Sequence, residues 1–115
     1  MRAATLASLA AAVVADPHVL GAGRTLTECV AQLRALPGIG EWTAQYIALR
    51  ALGHPDAFPV EDLVLQRALM GDGSRLTARA LHAQAEAWRP WRAYSVIQLW
   101  REATLQSMPA SRRAA

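Results

Sequence analysis

Leu33-Arg34-Ala35-Leu36-Pro37-Gly38-Ile39-Gly40-Glu41-Trp42-Thr43-Ala44-Gln45-Tyr46-Ile47-Ala48 decides the fold of this chain. Pro37 and Gly38 stop one helix, and the apolar spacing beyond Gly40 starts another. Two glycines two apart give the backbone conformations closed to other residues and expose its amides. Those amides lie at the start of the second helix. Unpaired N–H groups and the helix dipole favour an anion there, such as a nucleic-acid phosphate. Ala44 and Ala48 are small and one helical turn apart, so two helices can approach closely. Leu33, Leu36 and Ile39 are expected to fill the space between them. The expected hairpin covers residues 28–52.

The flanking sequence extends this into an all-α chain. A first helix is expected over residues 2–15, closed by Asp16-Pro17. Its Leu6, Leu9, Ala10, Val13 and Val14 fall at helical spacing, as in a packed helix. The same segment is acid-free and ends in small residues, like a weak export leader. Its single early arginine and alanine-rich apolar run argue against that reading. Gly21-Ala22-Gly23 is a loop. Thr25, with Glu28 as a capping-box partner, or Thr27 opens the second helix. The third runs over residues 41–52, with Trp42, Tyr46 and Leu49 as its stripe and Gly53 as its stop. A fourth opens at Glu61 or Asp62 and ends near Met70. Thr77 caps a fifth, with Leu81, Ala85 and Trp88 on one side. After Pro90 a sixth runs to about Leu105, with Tyr94, Ile97 and Leu105 facing inward. Residues 1–105 form the expected domain and residues 106–115 a flexible tail.

Composition narrows the chemistry. The chain has 115 residues, 53% hydrophobic and 18% charged, enough apolar content to bury a core. Its 12 basic residues are all arginine, against nine acidic, for a net charge of +3. Mild basicity permits a polyanionic partner. The one cysteine, Cys29, excludes an internal disulfide and a four-cysteine iron–sulfur site, and is expected to be a buried small hydrophobe. His18, His54 and His82 are scattered, without metal-ligand spacing. No apolar run is long enough to span a membrane.

Three blocks, LPGIGEWTAQYIALRALG, DAFPVEDLVLQRAL and AEAWRPWRAYSVIQLW, occur in order across residues 34–101 or so. Together they resemble the bacterial 3-methyladenine DNA glycosylase II family, of the helix-hairpin-helix glycosylase superfamily. The resemblance implies an all-α helix-hairpin-helix domain, apparently lacking its N-terminal part. It implies base-excision repair of alkylated double-stranded DNA, by hydrolysis of the N-glycosidic bond. In that superfamily an aspartate follows the hairpin at the start of a helix. Here the matching residue is Asp62, with Glu61 as second choice. A carboxylate at that place stabilises the oxocarbenium-like sugar of a flipped-out nucleotide and orients water. By itself an aspartate there also reads as an ordinary helix cap.

Trp42, Tyr46 and Trp100 match the aromatics of the family's base pocket. Electron-rich rings attract a cationic alkylpurine by stacking and cation–π attraction. Rings at helical spacing are also common core residues, so the resemblance, not the spacing, carries that assignment. Pro37, Gly38, Ile39, Gly40 and Thr43 match the phosphate-binding hairpin. The carbonyls of Arg34, Leu36 and Ile39 match a family site for a monovalent cation; no other cofactor is expected. Superfamily members that also cut the strand carry a lysine at the position of Trp42. This chain has no lysine, so base release is expected to leave the strand intact. Trp88 and Trp91 are expected to pack the last two helices together, and Arg89 and Arg92 to be solvated.

The chain opens at the helix before the hairpin, so it resembles the C-terminal half of such an enzyme. Three explanations stand open: a truncated or mis-started product, one half of a split glycosylase with a separately encoded N-terminal half, or a non-catalytic helix-hairpin-helix DNA-binding module. The resemblance implies a bacterial cytoplasmic, nucleoid-associated protein with no membrane partner.

Overall fold

The computed structural model describes residues 2–19 and 25–108. Among these there are six α-helices, one 3-10 turn and no strand. The helices are α1 (Arg2–Ala15), α2 (Leu26–Arg34), α3 (Glu41–Arg50), α4 (Leu63–Ala68), α5 (Ala78–Ala85) and α6 (Arg92–Ser107), with the 3-10 turn at Glu86–Trp88. The chain divides into two compact units, Met1–Pro59 and Val60–Ala115. The expected loop at Gly21–Gly23 and residues 109–115 of the expected tail lie outside the described residues. Gln106 and Ser107 belong to the last turn of α6. No described helix is long and apolar enough to cross a membrane.

In the first unit α2 and α3 form the expected hairpin. Thr25 caps α2: its Oγ1 accepts the Glu28 N–H at 3.2 Å and donates to Glu28 Oε1 at 2.9 Å. The glutamate thus accepts a hydrogen bond from the threonine's hydroxyl rather than from a backbone N–H as in a capping box. Val30, Leu33, Ile39 and Ala44 form a buried cluster, with Leu9, Leu26, Leu36 and Ile47 packed on it. Ala44 and Ala48 are both fully buried, as their small size at a close approach requires.

The expected stripe of α3 is corrected. Its buried face is Ala44, Gln45, Ala48 and Leu49. The alanines let α2 come close on that side. Trp42, 37% exposed, and the half-buried Tyr46 are therefore turned away from the hairpin core. α3 ends at Arg50, short of the expected residue 52; Gly53, at φ +65°, lies beyond it, and the next N–H, of His54, returns to Ala48 O at 3.0 Å. Ala57, Phe58 and Pro59 are buried.

α1 has its expected span but not its expected packing. It has no buried residue, and Leu6 and Val14 are 66% and 84% exposed. Leu9 and Val13 are half-buried and Ala10 is exposed. The apolar spacing of α1 is broader than the surface it rests on. Its Thr5 lies against Gly38, where a Cβ would collide with Thr5 Oγ1. Cys29 is buried as expected, at 1% exposure, but it has a polar neighbour: its Sγ lies 3.3 Å from His54 Nε2.

In the second unit α4 packs on α6 and α5. α4 ends at Ala68, short of the expected Met70, because Met70 N–H closes a tighter turn onto Arg67 O at 3.1 Å. Gly71 and Gly73 follow at φ +71° and +87°. Between and after them, Asp72 accepts from the Ser74 hydroxyl and N–H, which hold its carboxyl below the ordinary carboxylate range. Thr77 caps α5 as expected, accepting the Ala80 N–H at 3.1 Å. Leu81 and Ala85 are fully buried and Trp88 half-buried.

The inward face of α6 also differs from expectation. Arg92, Ala93 and Val96 are buried. Tyr94 and Ile97 are 67% and 42% exposed. The small side chains at 93 and 96 suit the close packing of α6, so the stripe is offset from the larger apolar residues beside it. Leu105 is half-buried. Trp91 is exposed and meets Tyr94 edge-on, at 6.0 Å between ring centroids, rather than packing two helices together. Arg92, expected to be solvated, is 4% exposed. Arg89 Nε is held by Glu86, at 3.0 Å to both carboxylate oxygens.

Candidate active site

The turn between α2 and α3 is built from two consecutive backbone closures. Leu36 N–H bonds Leu33 O at 3.1 Å, and Ile39 N–H bonds Leu36 O at 3.3 Å. Gly38, at φ +86°, reverses the chain between them, and Ile39 anchors the turn in the core. Gly40 is the N-cap of α3, in extended backbone with no side chain to satisfy the first-turn amides. By helix geometry those of Glu41, Trp42 and Thr43 have no intrahelical acceptor. Pro37, Gly38 and Gly40 are exposed and Thr43 half-buried. Such an end can receive an anion. One carboxylate already stands beside it: Glu41 Oε2 lies 3.1 Å from Arg34 Nη1. Of the three carbonyls expected from the resemblance to hold a cation, that of Leu36 accepts Ile39 N–H, which leaves it lone-pair capacity for a further partner.

Sequence reasoning missed the residue that ties this turn to the following segment. Gln45 is 9% exposed on the inner face of α3. Its Nε2 donates to Glu41 Oε1 at 3.2 Å, and its Oε1 accepts Phe58 N–H at 3.0 Å. The available signal was a glutamine in line with two alanines on an otherwise apolar face.

Asp62 is 9% exposed and caps α4. Its Oδ1 accepts the Leu65 N–H at 3.0 Å and the Trp100 indole N–H, from α6, at 3.4 Å. The carboxylate is thus held both from its own helix and from another. Gln66, 5% exposed, braces the approach to it: its Nε2 donates to Val60 O at 2.8 Å, and its N–H bonds Asp62 O at 3.0 Å. Glu61 is exposed, at the edge of a 330 Å³ cleft that Gln66, Arg75, Leu76 and Thr77 help line. Of the two adjacent carboxylates, only Asp62 is fixed and largely dry.

Among the aromatics the structure brings Trp100 to Asp62 and Trp42 to Tyr46. The Trp42 and Tyr46 rings stack on each other at 4.9 Å and 19°. A flat base cannot enter between them, so the pair offers only its outer surfaces. Arg50, another turn along α3, places its Cζ 5.9 Å from the Tyr46 ring centroid, within cation–π range.

Parts of known proteins are similar to this chain. Over 99 residues, 86% of the chain, it is 44% identical to the probable bifunctional transcriptional activator/DNA repair enzyme AlkA of Mycobacterium tuberculosis, covering 20% of that protein. Over 99 residues it is 31% identical to DNA-3-methyladenine glycosylase 2 of Escherichia coli, covering 34% of it. DNA-3-methyladenine glycosylase of Bacillus subtilis is 34% identical over 67 residues, 56% of the chain and 22% of that protein. No protein-family model matches the chain, and no solved structure matches it significantly. The chain therefore spans between a fifth and about a third of the length of these curated relatives. By sequence it is similar to a segment of proteins named AlkA and DNA-3-methyladenine glycosylase.

Proposed function

We propose that this chain carries the catalytic carboxylate of a monofunctional DNA glycosylase that releases alkylated purines from double-stranded DNA. The observation that carries the reading is Asp62: a largely buried aspartate at a helix start, fixed through Oδ1 by two N–H donors, in a chain related to DNA-3-methyladenine glycosylases. A surface cap would not need that second donor.

In the proposed reaction the C1′–N bond breaks and its electron pair leaves with the base. An alkylated purine carries a formal positive charge, so it departs neutral without prior protonation. The sugar left behind is cationic, and Asp62 opposes that charge. Water, oriented by Asp62, then forms the C1′–O bond and gives up its proton to the surrounding solvent. The strand stays whole because no lysine is present to form a Schiff base.

Trp42, Tyr46 and Trp100 are each assigned to stacking on the base, where a ring's electron-rich face favours a cationic plane. Pro37, Gly38, Ile39, Gly40 and Thr43 are assigned to a DNA phosphate at the start of α3. A monovalent cation on the carbonyls of Arg34, Leu36 and Ile39 would add positive charge there. The proposed setting is the bacterial nucleoid.

The deciding experiment incubates the purified chain with duplex DNA carrying labelled methylpurines, with Asp62→Asn as control. Release by the native chain that disappears in the variant is the expected result. No release, with salt-sensitive duplex binding kept, would leave a hairpin DNA-binding module without catalysis.

A further inference from the structure

We infer that Trp100 is a positioning residue for Asp62, its indole N–H fixing the carboxylate that faces the sugar. The inference rests on the glycosylase reading of Asp62 and adds to Trp100 a duty that stacking does not require.

Among the described residues, three helices carry a threonine or aspartate side-chain cap. Thr25, Thr77 and Asp62 each accept the N–H three residues on, at 3.2, 3.1 and 3.0 Å. That bond alone caps a helix. Asp62 alone among them also receives an indole N–H, from a residue 38 positions later in the chain. The second bond is therefore more than capping needs. It falls on the same oxygen, Oδ1, so the two donors fix the carboxylate from two directions.

Trp100 is placed for this by the packing of α6. It continues the buried run of Ala93 and Val96 along one face of that helix, and α6 packs on α4. Its ring is half-buried, so the indole direction is set by the helix pair. The chemistry is matched: a carboxylate only accepts, and an indole only donates. The 3.4 Å bond is long, but it joins a donor to a charged acceptor in a largely dry place, where such a bond counts for more than it does in water. A carboxylate that opposes a developing cation loses much of its effect when displaced by about an ångström. Trp100 would thus couple the helix that carries the ring to the oxygen that meets the sugar.

The test separates placement from folding and from stacking. Two duplexes are compared as ligands: one with a cationic pyrrolidine replacing the target sugar, one with an uncharged tetrahydrofuran there. The ratio of their affinities reads the carboxylate, because only the first ligand carries the charge. The native chain is expected to favour the pyrrolidine, and Asp62→Asn to bring the ratio near one. Trp100→Phe keeps a ring and removes the donor. It is expected to lower the ratio about tenfold, since any effect on binding common to both duplexes cancels in the ratio. If Trp100→Phe fails to fold, benzothienylalanine at position 100 removes the N–H from an isosteric ring and takes its place. A ratio equal to the native one in the donorless protein overturns the positioning role and leaves the glycosylase reading intact. A native ratio of one overturns the glycosylase reading, and this inference with it.

Discussion

Asp62 caps α4 and is proposed to carry the catalysis, and the two roles can be separated by substitution. Asparagine keeps a side-chain oxygen for the Leu65 N–H and caps helices as well as aspartate. Asp62→Asn should therefore melt within a few degrees of the native chain while losing base release by at least ~100-fold. Asp62→Ala should lose both, with a stability cost of about 1 kcal/mol for the missing cap. Glu61→Gln, at an exposed position, should change neither. Full activity in Asp62→Asn with none in Glu61→Gln would mean that the adjacent carboxylate is the working one. The hairpin glycines divide in a similar way. Gly38 has a left-handed φ of +86° and no room for a Cβ against Thr5 Oγ1, so Gly38→Ala should unfold at lower denaturant, by 1 kcal/mol or roughly more. Gly40 has ordinary backbone and open space around it. Gly40→Ala should leave the melting temperature in place, and it is the variant that reads phosphate contact cleanly. A loss of duplex affinity independent of sequence is the expected outcome there, and a sequence-dependent loss would count against amides on a phosphate.

At the scale of the helices, the hairpin is tied by Gln45 as much as by its apolar residues. Its carboxamide joins Glu41, at the start of α3, to the backbone of Phe58. Gln45→Ala removes the acceptor of a buried N–H, so a loss of about 1–3 kcal/mol is expected in chemical denaturation. A change under 0.5 kcal/mol, the ordinary scale of an unconnected surface site, would show that the bond contributes nothing net.

This residue also shows where sequence reading stopped. Helix starts were legible because Thr25, Asp62 and Thr77 use local chemistry: a side-chain oxygen meets an N–H three residues on. The turn was legible because Gly38 answers a backbone requirement. Faces were less so. On α3 and α6 the large apolar rings were expected inside, yet small residues occupy the close approach and Tyr94 and Ile97 stand exposed. Periodicity locates a stripe, but neighbouring stripes on one helix differ by only one residue in register. The choice between them is made by the partner helix, which local sequence does not contain. The bond from Trp100 to Asp62 was out of reach for the same reason. The resemblance singled out both residues, but nothing in the sequence says that an indole N–H on α6 meets an oxygen at the start of α4.

For the molecule as a whole, the most consequential fact is an amine count. All 12 basic side chains are guanidinium groups. A guanidinium cannot serve as a Schiff-base nucleophile. The α-amino group is left as the chain's only primary amine. On the proposed reading water is then the acceptor for the sugar, and base release is expected to leave an abasic site in an intact strand. Treating a reaction on alkylated duplex with borohydride should give no covalent protein–DNA adduct. The strand should break only on later treatment with alkali. An adduct that vanishes when the N-terminus is chemically blocked would locate the amine there. An adduct that survives blocking would contradict hydrolysis altogether, since no other amine in this chain can form it.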